Sequence, residues 1–308
     1  MSFFLVIISS CSRGPNPLAL ARRLRASLGP QALSLAMIVH MIRESRARID
    51  GRTIRYLDSG SGWPVVLLHA FPLNADMWRP QLERVPEGWW FIAPDMRGFG
   101  PDAVDQAAQA TLDQLAADVG ALLDRLEIEA AVIGGLSMGG YVTFALFRQQ
   151  PARFSGMILA DTKAQQDTPA GLEGRRQMID LARTRGAAAV ADSMLPKLLG
   201  ASAAARRPRL ADRVRAMIET APVPAIIGAI EAMIGRPDSR PDLSRIACPT
   251  LVIVGEEDVP TPVGDAADMQ NQIGRSRLVI LPEVGHLSNL EAPDGFALAI
   301  SDFLASNL

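Results

Sequence analysis

The chain holds few of the residues that make crosslinks and metal centres. Its 308 residues include 2 cysteines, Cys11 and Cys248, and 3 histidines, His40, His69 and His286. These stand at no metal-ligand spacing, and two distant cysteines build no disulfide framework, so neither a metal mechanism nor a stapled scaffold is expected. An excess of charge of one sign is missing as well. The 31 basic and 33 acidic residues leave a formal net charge of −2, which gives no reason to expect nucleic acid or a membrane surface as a partner. Also absent is any apolar run of the ~18 residues that a membrane-spanning helix needs. What is present is an ordinary globular composition, 48% hydrophobic and 21% charged. The length suits one large domain or a domain with an insertion.

Residues 1–44 read as an extension ahead of the fold, poorly ordered, with Met37 and Met41 as alternative starts. A docked helix from Leu18 to Leu28 is the second reading. Phe3 to Ile8 is apolar, and Ile8-Ser9-Ser10-Cys11 resembles a lipoprotein processing site. No basic residue precedes the run, and it is shorter than the core of a signal peptide. The expected location is therefore the cytoplasm, with export or lipid anchoring through Cys11 as the lesser alternative.

From Arg46 the pattern sharpens. Asp50-Gly51 lies between two extended stretches and supplies the positive φ angles of a hairpin turn. Pro64 to His69 is a short continuous apolar run, the mark of a strand covered on both faces. Further strands are expected at Trp90–Asp95, Ala130–Gly134, Phe154–Asp161, Thr250–Gly255 and Arg277–Leu281. Helices are expected at Thr111–Ile128, with Thr111 as N-cap, at Ser137–Gln150 and at Asn289–Leu304. Alternation of this kind builds βαβ units, with helices on both faces of a sheet.

The alternation stops between Thr162 and Ser244. There the pattern is helical only: Leu210, Val214, Met217 and Ile218 share one face, and Ile226, Ile230, Met233 and Ile234 another. Residues 162–244 therefore read as a helical cap inserted into a core of residues 45–161 and 245–308. Met178, Met194, Met217 and Met233 are candidates for an adaptable apolar pocket, although each taken singly is more simply core. Arg175, Arg176, Arg183, Arg206, Arg207, Arg209 and Arg213 are most simply a solvated face, with an anion site as the lesser alternative.

The chemistry centres on Ala130-Ala-Val-Ile-Gly-Gly-Leu-Ser-Met-Gly-Gly140. An apolar strand meets a helix at Ser137, in a turn that strains the serine backbone and lifts its hydroxyl clear of the sheet. The helix starting there aims free N–H groups at any anion that forms. A serine hydroxyl needs a base, and the base needs an orienting partner. His286, in the loop after the last strand, is the base candidate. Asp258, in Gly255-Glu-Glu-Asp258 after the preceding strand, is the acid candidate; Glu256, Glu257 and Asp161 compete with it. The oxyanion donors are expected to be the backbone N–H groups of Met138 and of Phe71, since Pro72 has none to give. Phe71 and Trp78 are candidates for the pocket wall or for plain packing.

Taken together, His69-Ala-Phe-Pro72, Pro94-Asp-Met-Arg-Gly-Phe-Gly100, Gly135-Leu-Ser-Met-Gly-Gly140, Gly255-Glu-Glu-Asp258 and Gly285-His286 resemble the α/β-hydrolase fold superfamily with a helical cap. The resemblance spans roughly residues 45–308. It implies a mostly parallel eight-stranded sheet with helices on both faces, a Ser-His-Asp triad in the chain order found here, and no cofactor. Ala70 stands where His-Gly is common in the family, and Pro101 where Ser or Asp is frequent. A serine at the elbow argues against the haloalkane dehalogenases and related epoxide hydrolases, which use aspartate. The expectation is a serine hydrolase of a small carboxylic ester or lactone, working through an acyl-enzyme. Carbon–carbon bond hydrolysis or cofactor-free perhydrolysis by the same residues is the alternative. A non-catalytic ligand receptor is the alternative from another class.

Overall fold

The computed structural model describes residues 41–103 and 110–307. The readings placed on residues 1–40, including Cys11, Met37 and His40, lie outside these. The sheet begins with β1 (Arg43–Ile49), two residues ahead of the expected boundary at 45, and β2 (Arg52–Asp58). Asp50 and Gly51 join them with φ of 48° and 78°, so the chain reverses in two residues and pairs Ile49 with Arg52. β3 (Trp63–Leu68), β4 (Trp89–Pro94), β5 (Ala131–Leu136), β6 (Phe154–Ala160), β7 (Thr250–Gly255) and β8 (Ser276–Leu281) complete it. The strand order is β1-β2-β4-β3-β5-β6-β7-β8. The first two pairings are antiparallel and the rest parallel.

Every residue of β5 and β7 is buried, as a strand covered on both faces requires. Helix α1 (Leu112–Arg125) starts at Thr111, whose side chain accepts from Gln114 N–H while the Gln114 side chain accepts from Thr111 N–H. It packs against α2 (Met138–Gln149), the helix that follows β5.

Between β6 and β7 the chain is helical. Here lie α3 (Pro169–Leu198), α4 (Ala201–Arg206), α5 (Pro208–Glu219) and α6 (Val223–Ile234). α3 bends at Gly186, where φ is 77°, and packs on both α5 and α6. The buried side chains of α5 are Leu210, Val214, Met217 and Ile218, the face read from the periodicity. The two ends of the insertion meet where Ser239 N–H donates to Ala164 O at 2.9 Å.

Past β7 comes α7 (Val263–Gln272), which the pattern did not suggest because it buries only Ala266 and Met269. The expected closing helix divides in two: a single turn at Ser288–Glu291, then α8 (Pro293–Asn307). Pro293 fits the first turn of a helix, where no N–H is needed, but cannot continue the one before it. Among the described residues no single helix is long and apolar enough to cross a membrane.

Candidate active site

Ser137 sits between β5 and α2 with φ 56° and ψ −112°, a conformation that costs a non-glycine residue about 1–3 kcal/mol. The surrounding bonds hold it there. Its N–H donates to Ala160 O at 3.0 Å, and its carbonyl accepts from Gly140 N–H at 2.9 Å and from the Thr162 hydroxyl at 2.8 Å. Glycine is required on both sides for lack of space: a Cβ on Gly135 would overlap the Gly139 backbone, and one on Gly139 would overlap Leu68 O.

His286 and Asp258 are both buried at the ends of the loops after β8 and β7. His286 Nδ1 lies 2.9 Å from each carboxylate oxygen of Asp258. Asp258 also accepts from Thr261, at 2.9 Å from its N–H and 2.7 Å from its hydroxyl. With Nδ1–H donating to this acceptor-only group, the neutral ring carries its lone pair on Nε2. Ser137, His286 and Phe71 line one cleft of 310 Å³. The competitors of Asp258 are engaged elsewhere. Asp161, at the end of β6, accepts from Gly255 N–H at 2.9 Å and from the Ser288 hydroxyl. Burial pushes its carboxyl well above the usual carboxylate range. Glu257 accepts from the N–H and hydroxyl of Ser202 in α4, and Glu256 from Glu283 N–H at 3.0 Å.

The loop that carries Phe71 is fixed from beneath by His69. Its Nε2 accepts from Met96 N–H at 2.9 Å, so its Nδ1–H donates to Ala70 O at 3.0 Å. Burial pulls this imidazole down to about 4, which keeps it neutral and able to accept. Among the described residues neither Phe71 N–H nor Met138 N–H, the first of α2, meets a protein acceptor.

Of the expected pocket residues, Met178, Met194 and Met233 line the cleft. Met217 and Trp78 do not. Met217 is buried on the face of α5 that meets its neighbouring helices. Trp78 is fully buried with its ring 5.8 Å from that of Phe296 in α8. Beside it Asn289 donates to Met77 O at 2.9 Å, tying the segment after the Phe71 loop to the segment after His286. Aromatic size alone gave no way to tell a wall from a bolt.

Arg175 is a further correction. Of the seven insertion arginines read as a solvated face, six are exposed, but Arg175 is half-buried and lines the cleft. Its Nε donates to Asp167 at 2.5 Å, and Arg236 donates twice to the same carboxylate, at 2.7 and 3.0 Å. Lys163 Nζ stands 3.6 Å from it. Burial raises Asp167, but the bonds from Arg236 and Arg175 outweigh it and hold the carboxyl well below its usual range. The Arg236 guanidinium lies 4.3 Å from the centroid of the Tyr141 ring. The sequence reading also missed Glu291, which accepts from the N–H groups of Gly200, Gly285 and Leu287 at 2.9–3.0 Å and so shapes the His286 loop. Thr261 had one visible signal, a hydroxyl three residues beyond the candidate acid.

The model of the α/β hydrolase fold family matches residues 64–293. A 3-oxoadipate enol-lactonase from Acinetobacter baylyi is 29% identical over 77% of this chain and 86% of its own. A thermophilic esterase from Thermogutta terrifontis, solved with malate bound, is 36% identical, superposes with a TM-score of 0.79 and is matched over 86% of this chain and 98% of its own. The enol-lactonase from Burkholderia xenovorans LB400 is 28% identical, with a TM-score of 0.78, over 85% of this chain and 100% of its own.

Proposed function

The chain belongs to the α/β-hydrolase fold family, and on that premise we propose that it is a serine hydrolase of small carboxylic esters or lactones that works through an acyl-enzyme. The observation that carries this reading is the His286–Asp258 pair, with Nδ1 2.9 Å from the carboxylate, opening onto the same cleft as a serine held at positive φ. The esterase and enol-lactonase relatives support the choice of ester or lactone.

In this mechanism His286 Nε2 takes the Ser137 proton as Oγ attacks the carbonyl carbon. Asp258 stabilises the imidazolium that results, and Thr261 keeps Asp258 in place. The oxyanion is held by the N–H groups of Phe71 and Met138. His286 then protonates the leaving oxygen. Water, deprotonated by the same ring, releases the acyl group. The helices of residues 162–244 serve as the cap: Met178 and Met194 of α3 and Met233 of α6 close the cleft over Ser137 and set the shape of the acyl group.

The test is a hydrolysis panel of esters of graded acyl length, lactones and vinylogous diketones, with Ser137→Ala as the blank. Turnover and fluorophosphonate labelling are expected in the wild type and lost in the variant. Undiminished turnover by Ser137→Ala overturns the assignment, and turnover of diketones alone moves the reaction to carbon–carbon cleavage.

A further inference from the structure

Building on that reading, we propose that the acyl part of the substrate carries a free carboxylate, recognised by Lys163, Arg175 and Lys197 at the cap side of the cleft. The chain has 31 basic residues, and only 2 are lysines, Lys163 and Lys197. Both line the cleft that holds Ser137, together with Arg175. Facing these three cations in the lining is one carboxylate, Asp167; Asp258 lies behind His286 and is bound to it.

Asp167 is already taken. Arg236 holds both of its oxygens from the buried side, and Arg175 adds a third bond. Lys197 has no ion-pair partner among the described residues. Arg175 gives Nε to Asp167 and turns Nη1 toward the Met233 sulfur at 3.3 Å, a weak acceptor, so its guanidinium keeps donors for another oxygen ligand. Lys197 is exposed at the rim and Lys163 and Arg175 are half-buried, so the lining carries more cations than its single carboxylate balances, and an incoming carboxylate gains charge-assisted hydrogen bonds there.

The position suits a substrate with two ends. Tyr141, the residue under Arg236, is one helical turn along α2 from Ser137, and its N–H donates to Ser137 O. Ser137, Tyr141 and the three cations line one cleft, so an acyl chain attacked at Ser137 has the cationic group within the same space. The cleft's 310 Å³ lies at the low end of ligand pockets and suits a small diacid derivative.

The experiment compares kcat/KM for the monomethyl esters of succinic, glutaric and adipic acid with methyl esters of the unsubstituted acids of matched length. At one chain length the anionic ester is expected to be preferred by about tenfold or more at low salt, and the preference should shrink as ionic strength rises. Arg175→Gln and Lys197→Gln should each lower the anionic-to-neutral ratio by about tenfold, with Arg175→Lys restoring part of it. Because the lysines are so few, chemistry supplies a second probe: acetylation removes their charge and should collapse the ratio, whereas reductive methylation keeps the charge and should leave it. A readout independent of turnover is calorimetric binding of free glutarate against glutaramide and inorganic phosphate, with glutarate expected to bind tightest. Equal or better use of the neutral esters at every length overturns the proposal, as does a ratio unmoved by either substitution. Tighter binding of phosphate than of glutarate overturns the carboxylate assignment. Failure of the hydrolase reading looks different: both members of every pair are inert and Ser137 is unlabelled, while the binding order still decides for or against the carboxylate.

Discussion

The two sides of the cleft are built in opposite ways. On the sheet side Ser137 follows β5, Phe71 follows β3, Asp258 follows β7 and His286 follows β8. These are parallel strands, with β6 between β5 and β7, and their ladders fix where each loop begins. The groups there are backbone N–H donors and short side chains with few rotamers. On the side of the helical insertion Met178, Met194, Lys163, Arg175 and Lys197 come from α3 and the loop before it, and each has long, flexible side-chain torsions. The contrast teaches that the arrangement of Ser137, His286 and Asp258 rests on hydrogen-bonded backbone, while the shape and charge of the opposite wall rest on side chains that can be exchanged without touching it.

That contrast can be broken in order of expected effect. Ser137→Ala should lower kcat by about 10⁶-fold, as removal of a triad serine does, with an unchanged melting temperature; a modest loss would mean that the sheet side is not where the bond is attacked. Asp258→Asn should lower kcat by about 10⁴-fold through the wrong imidazole tautomer, measurable as slow acylation by an activated ester. Trp78→Ala separates packing from pocket. It should cost about 3–5 kcal/mol of stability in a denaturant titration and leave the chain-length preference as it was, because Trp78 braces the Phe71 loop against α8 without lining the cleft.

His69 gives a pH test of the same brace. Its native pKa of about 4 lies below the ordinary imidazole value of 6.5, so the unfolded chain binds the proton first as pH falls. The stability that His69 contributes is fully present above about pH 6.5 and is lost on going down to about pH 4, a change on the order of 3 kcal/mol. Unfolding free energies of the wild type and His69→Asn should therefore converge over that window, and a constant difference would show that His69 titrates normally in the fold. The smallest effect belongs to the side of the helical insertion. Met178→Ala should cost about 1 kcal/mol or less, since the side chain is only half-buried, while shifting the preferred acyl length. An unchanged length profile would remove Met178 from the acyl site.

The elbow was legible because its constraints are local. Ser137 needs glycines at fixed offsets, an apolar strand before it and a helix after it, all within a few residues. The hairpin at Asp50-Gly51 was legible for the same reason. α7 was not, since a helix that buries only Ala266 and Met269 leaves almost no periodic trace. The break before α8 was hidden because Leu290 and Phe296 are both buried and so keep one apolar pattern across it. Arg175 was misread because helical periodicity says which residues share a face but not which face a neighbouring loop will cover. Here Asp167 and Arg236, 8 and 61 positions away by number, turn that face inward.

The sequence by itself determined the sheet, the turn that exposes Ser137, and the order in which Asp258 and His286 follow it. Local backbone demands and hydrophobic period decide these things, and both are written residue by residue. Only the tertiary structure decided that Asp258 rather than Asp161 meets His286, that Trp78 is a brace, that three of four methionines reach the cleft, and that the chain's two lysines gather there. Those outcomes depend on which long side chains from distant segments fill the same space, and no local pattern encodes a distance between residues that meet only on folding.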